Sequence, residues 1–121
     1  MGRYILLVAA GGALGAICRY GIATLAARLF GSSFAWGTLL VNLVGCLLLG
    51  VIYARVDQRA VLGPGARLFF MTGFLGALTT FSTYALESMQ FVRAGEYGLF
   101  LANLAVNNLG GFALALVGLW I

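Results

Sequence analysis

The stretch GFLGALTTFST, residues 73–83, decides the fold of this chain, because it interrupts a segment that is otherwise apolar enough to cross a membrane. Two glycines and four hydroxyl residues fall within its eleven positions, which makes it a poor membrane helix. Unpaired backbone groups among lipid tails are costly, so irregular backbone survives there only inside protein or along a polar cavity. A broken helix at that depth can present carbonyl and amide groups to ions. The stretch therefore predicts an ion site at a helix break in mid-membrane.

The composition places the rest of the chain in the membrane as well. The 121 residues are 63% hydrophobic and 8% charged, and the mean hydropathy is +1.06. A spanning helix needs about 20 mostly apolar residues, which leaves room for four spans and short connections. We therefore predict an all-α membrane protein with a single four-span domain over residues 1–121. The expected spans are residues 3–29, 35–54, 66–91 and 97–121.

The same composition argues against an enzyme. The chain has no histidine and no lysine, and its only acids are Asp57, Glu87 and Glu96. General acid–base catalysis requires such groups with tuned pKa values in a pocket. The net charge of +4 comes from seven arginines, most of them at the ends of predicted spans. That placement suits lipid headgroups and water and does not indicate a nucleic-acid partner.

The first predicted span contains both small residues and a charge. Gly11 and Gly15 form a small-xxx-small pair, a pattern that lets membrane helices pack closely. Arg19 lies within the span, where a charge is costly and normally faces the bundle interior or an aqueous vestibule. We expect Arg19 to attract anions at a vestibule, with snorkelling to the interface as the alternative.

Polar residues also occur inside the later spans. Asn42 lies in span two and is either an interhelical hydrogen-bonding residue or a pore-lining amide. Asn103, Asn107 and Gly111 recur every fourth residue in span four and form a narrow polar stripe. Polar residues inside spans mark transport pathways or helix contacts, and two polar helices favour a pathway.

Two aromatic residues follow the expected break. Phe81 and Tyr84 share one face of the second half-helix, and such a pair is usually core packing. Aromatic ring edges carry positive electrostatic potential, so the same pair can instead face an anion. Glu87 lies one turn further on, as a partner for Arg19 or another arginine, or as an interfacial charge.

The arginines give only a small preference for one orientation. Four of them fall on one side of the predicted spans and two on the other, with Arg19 uncounted: Arg3, Arg55, Arg59 and Arg67 against Arg28 and Arg93. Positive charge favours the cytoplasmic side, so such a weak bias allows insertion both ways round. Four short helices enclose little space, so we expect a transport pathway to need a second subunit, and two opposed copies could form one two-fold assembly.

The chain resembles the CrcB/Fluc family of fluoride channels in motifs that occur in the family's order. The most specific is TGFLGALTTFST at residues 72–83, followed by Tyr84 and Glu87. The family's first-span motif is matched in this chain by Gly11-Gly12, Gly15-Ala16 and Arg19-Tyr20. Its second-span motif is matched by Gly37-Thr38-Leu39, Asn42 and Gly45.

The resemblance implies a dual-topology homodimer in the cell's inner or plasma membrane, with two fluoride pores and passive export of fluoride. It also implies a central structural sodium ion held by the backbone carbonyls of Gly76 and Thr79. No organic cofactor is expected. The remaining partners would be fluoride, the second subunit and the lipid bilayer.

The resemblance also implies which residues line the fluoride pathway. The family's paired phenylalanines correspond to Phe81 and Tyr84, and the tyrosine is a departure because it adds a hydroxyl group. The other pathway positions are polar: Asn42, Ser82, Thr83, Asn107 and, one turn earlier, Asn103.

Two other functions fit a chain of this kind. A small multidrug-resistance-type transporter is also a four-span dual-topology dimer, but it needs a carboxylate in its first span, where this chain has Arg19 and no acid. A non-transporting membrane assembly protein would account for the glycines but not for polar stripes on two helices.

Overall fold

The computed structural model describes residues 1–59 and 62–121, and within them the fold is entirely helical. Four helical segments are long and apolar enough to span a membrane, as predicted. The elements are, in chain order, α1 (Gly2–Phe30), α2 (Trp36–Arg59), α3 (Pro64–Arg67), a π-helix (Leu68–Leu75), α4 (Gly76–Leu78), α5 (Phe81–Arg93) and α6 (Tyr97–Trp120).

The connections form where the sequence supplies turn residues. Gly31 and Gly95 have positive φ values of 80° and 74°, which residues with a side chain rarely adopt. Gly31 ends α1, and its N–H donates to Ala27 O at 3.0 Å. Helix α2 continues past the predicted end of span two at residue 54, because Arg55 and Gln58 are good helix formers that tolerate water. Of the polar connection predicted at residues 55–67, Ala60 and Val61 lie outside the described residues.

The third span is less regular than its sequence indicates. It begins with Pro64 at the first helical position and then passes into the π-helix, in which hydrogen bonds reach one residue further than in an α-helix. Its regular structure stops after Leu78 and resumes at Phe81. The structure thus contains a break within residues 73–83, and its mid-membrane depth remains a prediction.

Close backbone packing holds α1 against the π-helix. A Cβ added to Gly11 would overlap the carbonyl oxygen of Phe69, and one added to Gly15 would overlap that of Phe74. A Cβ on Gly73 would lie 2.8 Å from Val8 O. Only glycine permits this approach, so the packing role of the small-residue pair in span one is confirmed.

Helices α2 and α6 form the other close pair. A Cβ on Gly50 would lie 3.1 Å from the Cα of Gly118, and one on Gly118 would lie 2.8 Å from Val51 N. The small buried core lies between the two pairs and consists of Val41, Leu75 and Leu78. Most other large apolar side chains face outward, as expected of a surface that meets lipid or a second protein.

Candidate functional site

The break in the third span consists of two extended residues. Thr79 has φ −84° and ψ 155°, and Thr80 has φ −151° and ψ 116°. The Thr79 hydroxyl donates to Leu75 O at 3.0 Å, and the Thr80 hydroxyl accepts from the N–H of Thr83 at 3.2 Å as the N-cap of α5. Both threonines therefore bond the backbone locally, which is how hydroxyl side chains end one helix and start another.

The break frees the carbonyls of the four residues 76–79, because the last four carbonyls before a helix end have no partner in the helix. In a continuous helix the Thr80 N–H would bond to Gly76 O and the Thr83 N–H to Thr79 O. The Thr80 N–H donates instead to Asn42 Oδ1 at 2.8 Å, and the Thr83 N–H donates to the Thr80 hydroxyl. The four released carbonyls thus include those of Gly76 and Thr79, the two that the family resemblance implies for sodium.

Asn42 joins α2 to the broken peptide. Its Nδ2 donates to Thr80 O at 3.2 Å while its Oδ1 accepts from Thr80 N, so one side-chain amide pairs with both polar groups of one residue. The same Nδ2 donates to Asn107 Oδ1 of α6 at 3.1 Å. Asn42 thus makes interhelical hydrogen bonds, which is the first of its two predicted roles. It also lines a cavity, as its other predicted role, that of a pore-lining amide, requires.

The polar stripe of α6 continues the hydrogen-bond network. Asn107 Nδ2 donates to Asn103 Oδ1 at 2.9 Å, and Asn103 Nδ2 donates to Ser88 Oγ at 2.9 Å. The Ser88 hydroxyl in turn donates to Tyr84 O at 2.7 Å. Asn103 is completely buried, so it connects α5 to α6 without reaching a cavity surface in one subunit.

Phe81 and Tyr84 make an edge-to-face pair next to the break. Their ring centroids lie 5.5 Å apart with an interplanar angle of 62°. Phe81 is 78% exposed, whereas Tyr84 is 6% exposed. The Tyr84 hydroxyl, the feature that departs from the resembled family, accepts a hydrogen bond from Asn108 Nδ2 at 2.9 Å.

A cavity of about 310 Å³ collects most of the predicted site. It is lined by six predicted site residues: Asn42, Gly76, Thr79, Phe81, Tyr84 and Asn107. Its lining contains no carboxylate, guanidinium or imidazole. The cavity therefore offers hydroxyl, amide, carbonyl and aromatic groups, together with the sulfur atoms of Cys46 and Met71.

A second cavity, of about 280 Å³, holds the predicted vestibule charge. Arg19 lines it together with Thr38, Thr80 and Thr83. Because Thr80 lines both cavities, the broken peptide separates the space around Arg19 from the space around Phe81. Ser82 lines neither described cavity; its hydroxyl lies 3.4 Å from that of Thr80.

Glu87 has a different partner from those the sequence suggested. Its carboxylate accepts a hydrogen bond from the hydroxyl of Thr38 in α2, and no ion pair with an arginine is found among the described residues. Thr38 also lines the cavity with Arg19, so Glu87 reaches that cavity through Thr38.

Sequence reasoning did not select several residues of this site. Asn108 lies one position off the polar stripe of α6. Ser88 lies one turn after Tyr84, and this spacing could have indicated Ser88 as a neighbour of Tyr84. Cys46 and Met71 line the larger cavity beside Asn42 and Thr79. Cys46 lies one turn after Asn42 on the same face of α2, but nothing in the sequence indicates that Met71 lies beside them.

Comparisons with known proteins agree with the family that the sequence motifs resemble. The family model described as "CrcB-like protein, Camphor Resistance (CrcB)" matches residues 6–119. Three similar relatives bear the name "Fluoride-specific ion channel FluC". The relative from Maridesulfovibrio salexigens is 41% identical over 94% of this chain and 90% of its own length. Those from Koribacter versatilis and Salinibacter ruber are 43% and 44% identical, over 88% and 94% of this chain and 85% of each relative.

Proposed function

This chain belongs to the CrcB family, whose members are fluoride channels and not enzymes, and we propose that it lets fluoride leave the cell passively. The proposed pathway consists of the predicted polar and aromatic residues: Asn42, Phe81, Ser82, Thr83, Tyr84, Asn103 and Asn107. Arg19 supplies positive charge at its vestibule. The protein is a multi-pass membrane protein, and we place it in the inner or plasma membrane.

The cavity beside the Phe81–Tyr84 pair is the single observation that carries this proposal. Fluoride is small and strongly hydrated, so a pore must replace its water with fixed donors and positive ring edges. The cavity brings such groups together in a space of about 310 Å³. Helix α5 begins at Phe81, and the amides at a helix N-terminus add positive potential there. Several weak contacts of this kind let an anion enter and still leave.

The same lining supports the proposal of passive transport. A transporter that exchanges fluoride for protons needs a titratable group on its pathway, such as a carboxylate or an imidazole. The described lining of the larger cavity has neither. The drug-transporter alternative meets the same objection, because α1 carries no acid.

We further propose that a sodium ion binds at the break as a structural cofactor. The carbonyls of Gly76 and Thr79 fit this role, since the amides that would bond to them are taken by side chains. Gly76 is exposed on the surface of the subunit, and a Cβ placed there would meet nothing nearer than Met71 O at 3.6 Å. Backbone carbonyls at helix breaks are known sodium ligands in membrane proteins. A bound sodium ion would lower the electrostatic barrier to an anion passing nearby.

An antiparallel homodimer would complete such a site. Two carbonyls from one subunit are few ligands for a cation, and a second, opposed copy would supply two more. The large exposed apolar side chains of α1 and α6 provide surface for such a contact, among them Ile17, Leu109, Phe112 and Leu116. Dual topology also agrees with the weak arginine bias of the sequence.

Ion efflux from liposomes tests the function directly. Purified protein would be reconstituted into vesicles loaded with potassium fluoride or potassium chloride, and release would be followed with ion-selective electrodes after a potassium ionophore is added. We expect rapid release of fluoride and retention of chloride. Release of neither ion, from protein shown to be folded, would favour a membrane assembly protein.

Sodium removal tests the cofactor. The same fluoride efflux would be measured after purification and reconstitution with N-methyl-D-glucamine in place of sodium. We expect fluoride release to fall and to recover when sodium is restored. Equal release under both conditions, with residual sodium checked by atomic absorption, would argue against the sodium site.

A further inference from the structure

The hydrogen atoms of the polar side chains around the larger cavity are almost all in use. Both hydrogens of Asn42 Nδ2 are directed to Thr80 O and Asn107 Oδ1. Asn107 Nδ2 donates to the backbone and side-chain oxygens of Asn103. The Thr79 hydroxyl donates to Leu75 O, and that of Thr80 donates to Thr83 Oγ1. Besides the backbone amides at the start of α5, a side chain that donates to an anion in this cavity must therefore still have a free hydrogen.

Asn108 has its amide nitrogen turned toward Tyr84. Its Nδ2 lies 2.8 Å from Leu104 O, which can only accept a hydrogen bond, so the nitrogen and not the oxygen must face it. The same nitrogen lies 2.9 Å from the Tyr84 hydroxyl. Both hydrogens of the amide are thereby assigned, one to the carbonyl and one to the phenol oxygen.

This arrangement leaves the hydroxyl hydrogen of Tyr84 free. A phenol has one hydrogen to donate and lone pairs that accept, and the bond from Asn108 occupies an accepting position. Among the residues that the structure describes, no hydrogen bond is donated by the Tyr84 hydroxyl. The ring itself is held by burial and by its contact with Phe81, and both Tyr84 and Asn108 line the cavity.

We propose that the Tyr84 O–H is the hydrogen-bond donor for fluoride in the larger cavity, and that Asn108 positions it by donating to the phenol oxygen. This inference rests on the proposed fluoride channel. A phenol that accepts a hydrogen bond becomes a stronger donor, because hydrogen bonds in a chain polarise one another. A hydrogen bond to an ion is also stronger than one between neutral groups. Tyr84 would thus bind fluoride by a direct bond, beyond the weak attraction of a ring edge.

Tyr84→Phe removes the donor and keeps the ring. Channel current in planar bilayers would be measured against fluoride concentration for the wild type and the variant. We expect the half-saturating fluoride concentration to rise about tenfold or more, as loss of a hydrogen bond to an ion implies. The maximal current should stay equal or increase, since a weaker site releases the ion more readily. Tyr97→Phe, which makes the same change at an exposed residue outside the described cavities, is the matched control.

Asn108→Leu tests the positioning role. Without the amide the phenol is no longer oriented or polarised, so the half-saturating concentration should rise in this variant too. In the Tyr84→Phe background the same substitution should change it little, because the donor is already absent. Independent, multiplied effects of the two substitutions would overturn the role of Asn108.

The outcomes separate this inference from the function on which it rests. If the wild type carries fluoride current and Tyr84→Phe leaves the half-saturating concentration unchanged, the channel function stands and the donor role is overturned. A fall in maximal current alone would make the hydroxyl a packing feature and overturn it as well. Absence of fluoride current in the wild type would reject the proposed function and this inference together.

Discussion

At the scale of single residues, Asn42 shows how one side chain supports both structure and transport. Its amide oxygen accepts from the Thr80 N–H, which has no helical partner in the break, and its nitrogen donates to the Thr80 carbonyl. A buried peptide group without partners would cost about 1–3 kcal/mol for each unsatisfied group. Asn42 removes that cost and at the same time lines the cavity next to Phe81.

The first prediction concerns Asn42→Asp. An ionised aspartate only accepts hydrogen bonds, so it cannot donate to Thr80 O or Asn107 Oδ1, and its charge would repel an anion. We expect fluoride efflux from liposomes to be abolished. Asn42→Ala loses both donated bonds, and also the bond from the Thr80 N–H, without adding charge, so a larger loss of efflux in Asn42→Asp than in Asn42→Ala would come from the charge. Normal throughput in Asn42→Asp would make Asn42 a packing residue only.

The second prediction concerns Phe81→Ile. Phe81 is 78% exposed in the subunit, so the substitution should cost little stability, yet it removes a ring edge from the cavity wall. We expect fluoride efflux to fall at least about tenfold, since isoleucine offers no positive edge to an anion. Phe70→Ile, at a residue that is 41% exposed and outside the described cavities, should keep full efflux. Unchanged efflux in Phe81→Ile would remove Phe81 from the pathway.

At the scale of elements, the broken third span depends on what packs against it. Helix α1 lies against the π-helix at Gly11 and Gly15, where its backbone comes close to that of Phe69 and Phe74. Helix α2 supports the break from the other side, through Asn42 and Gly45. A Cβ added to Gly45 would overlap the Thr79 methyl group. An irregular segment is tolerated where neighbouring helices satisfy and enclose it.

The third prediction follows from this packing. Gly11→Ala would place a methyl group on the carbonyl of Phe69, and overpacking of this kind costs about 1–3 kcal/mol. We expect a lower melting temperature in detergent and a lower yield of folded protein. In Gly12→Ala the nearest atom, Gly73 O, is 3.9 Å from the new carbon, so that neighbouring variant should behave as the wild type. Equal stability of both variants would show that α1 shifts away at little cost.

At the scale of the whole molecule, the described subunit is a thin bundle with an apolar exterior. No more than 33% of the residues in any of its four span windows are buried inside it, so most of its surface must meet lipid or another protein. The carbonyl of Gly76 belongs to an exposed residue. A single copy therefore leaves the proposed sodium site open on one side, where a second copy could close it.

The fourth prediction tests the arrangement of two copies. If the chain inserts in both orientations, a cleavable tag at the C-terminus should be digested partly from each side of the membrane. Protease added to intact cells or to inverted vesicles should then each remove a fraction of the tag. A reporter protein of known single orientation serves as the control for membrane integrity. Cleavage from one side only would rule out dual topology.

The sequence by itself determined those features that depend on local composition. Hydropathy located four helical spans, and the hydroxyl residues and glycines of residues 73–83 located the break, because each follows from the solvation of the chain's own backbone and side chains. The glycines of α1 were identified as packing residues for the same reason. The site residues chosen from sequence remain predictions, although the larger cavity brings six of them together.

Only the tertiary structure decided the partners. Asn42 meets Thr80 across 38 residues of chain, and Asn108 meets the Tyr84 hydroxyl across 24. Glu87 meets Thr38, where the sequence had suggested an arginine. The π-helix in the third span was also not foreseen. A polar side chain inside a membrane protein must find a hydrogen-bond partner, but the sequence shows only that a partner is needed. Which group satisfies it depends on how closely the helices approach and on their rotation, and both are set by packing between segments distant in sequence.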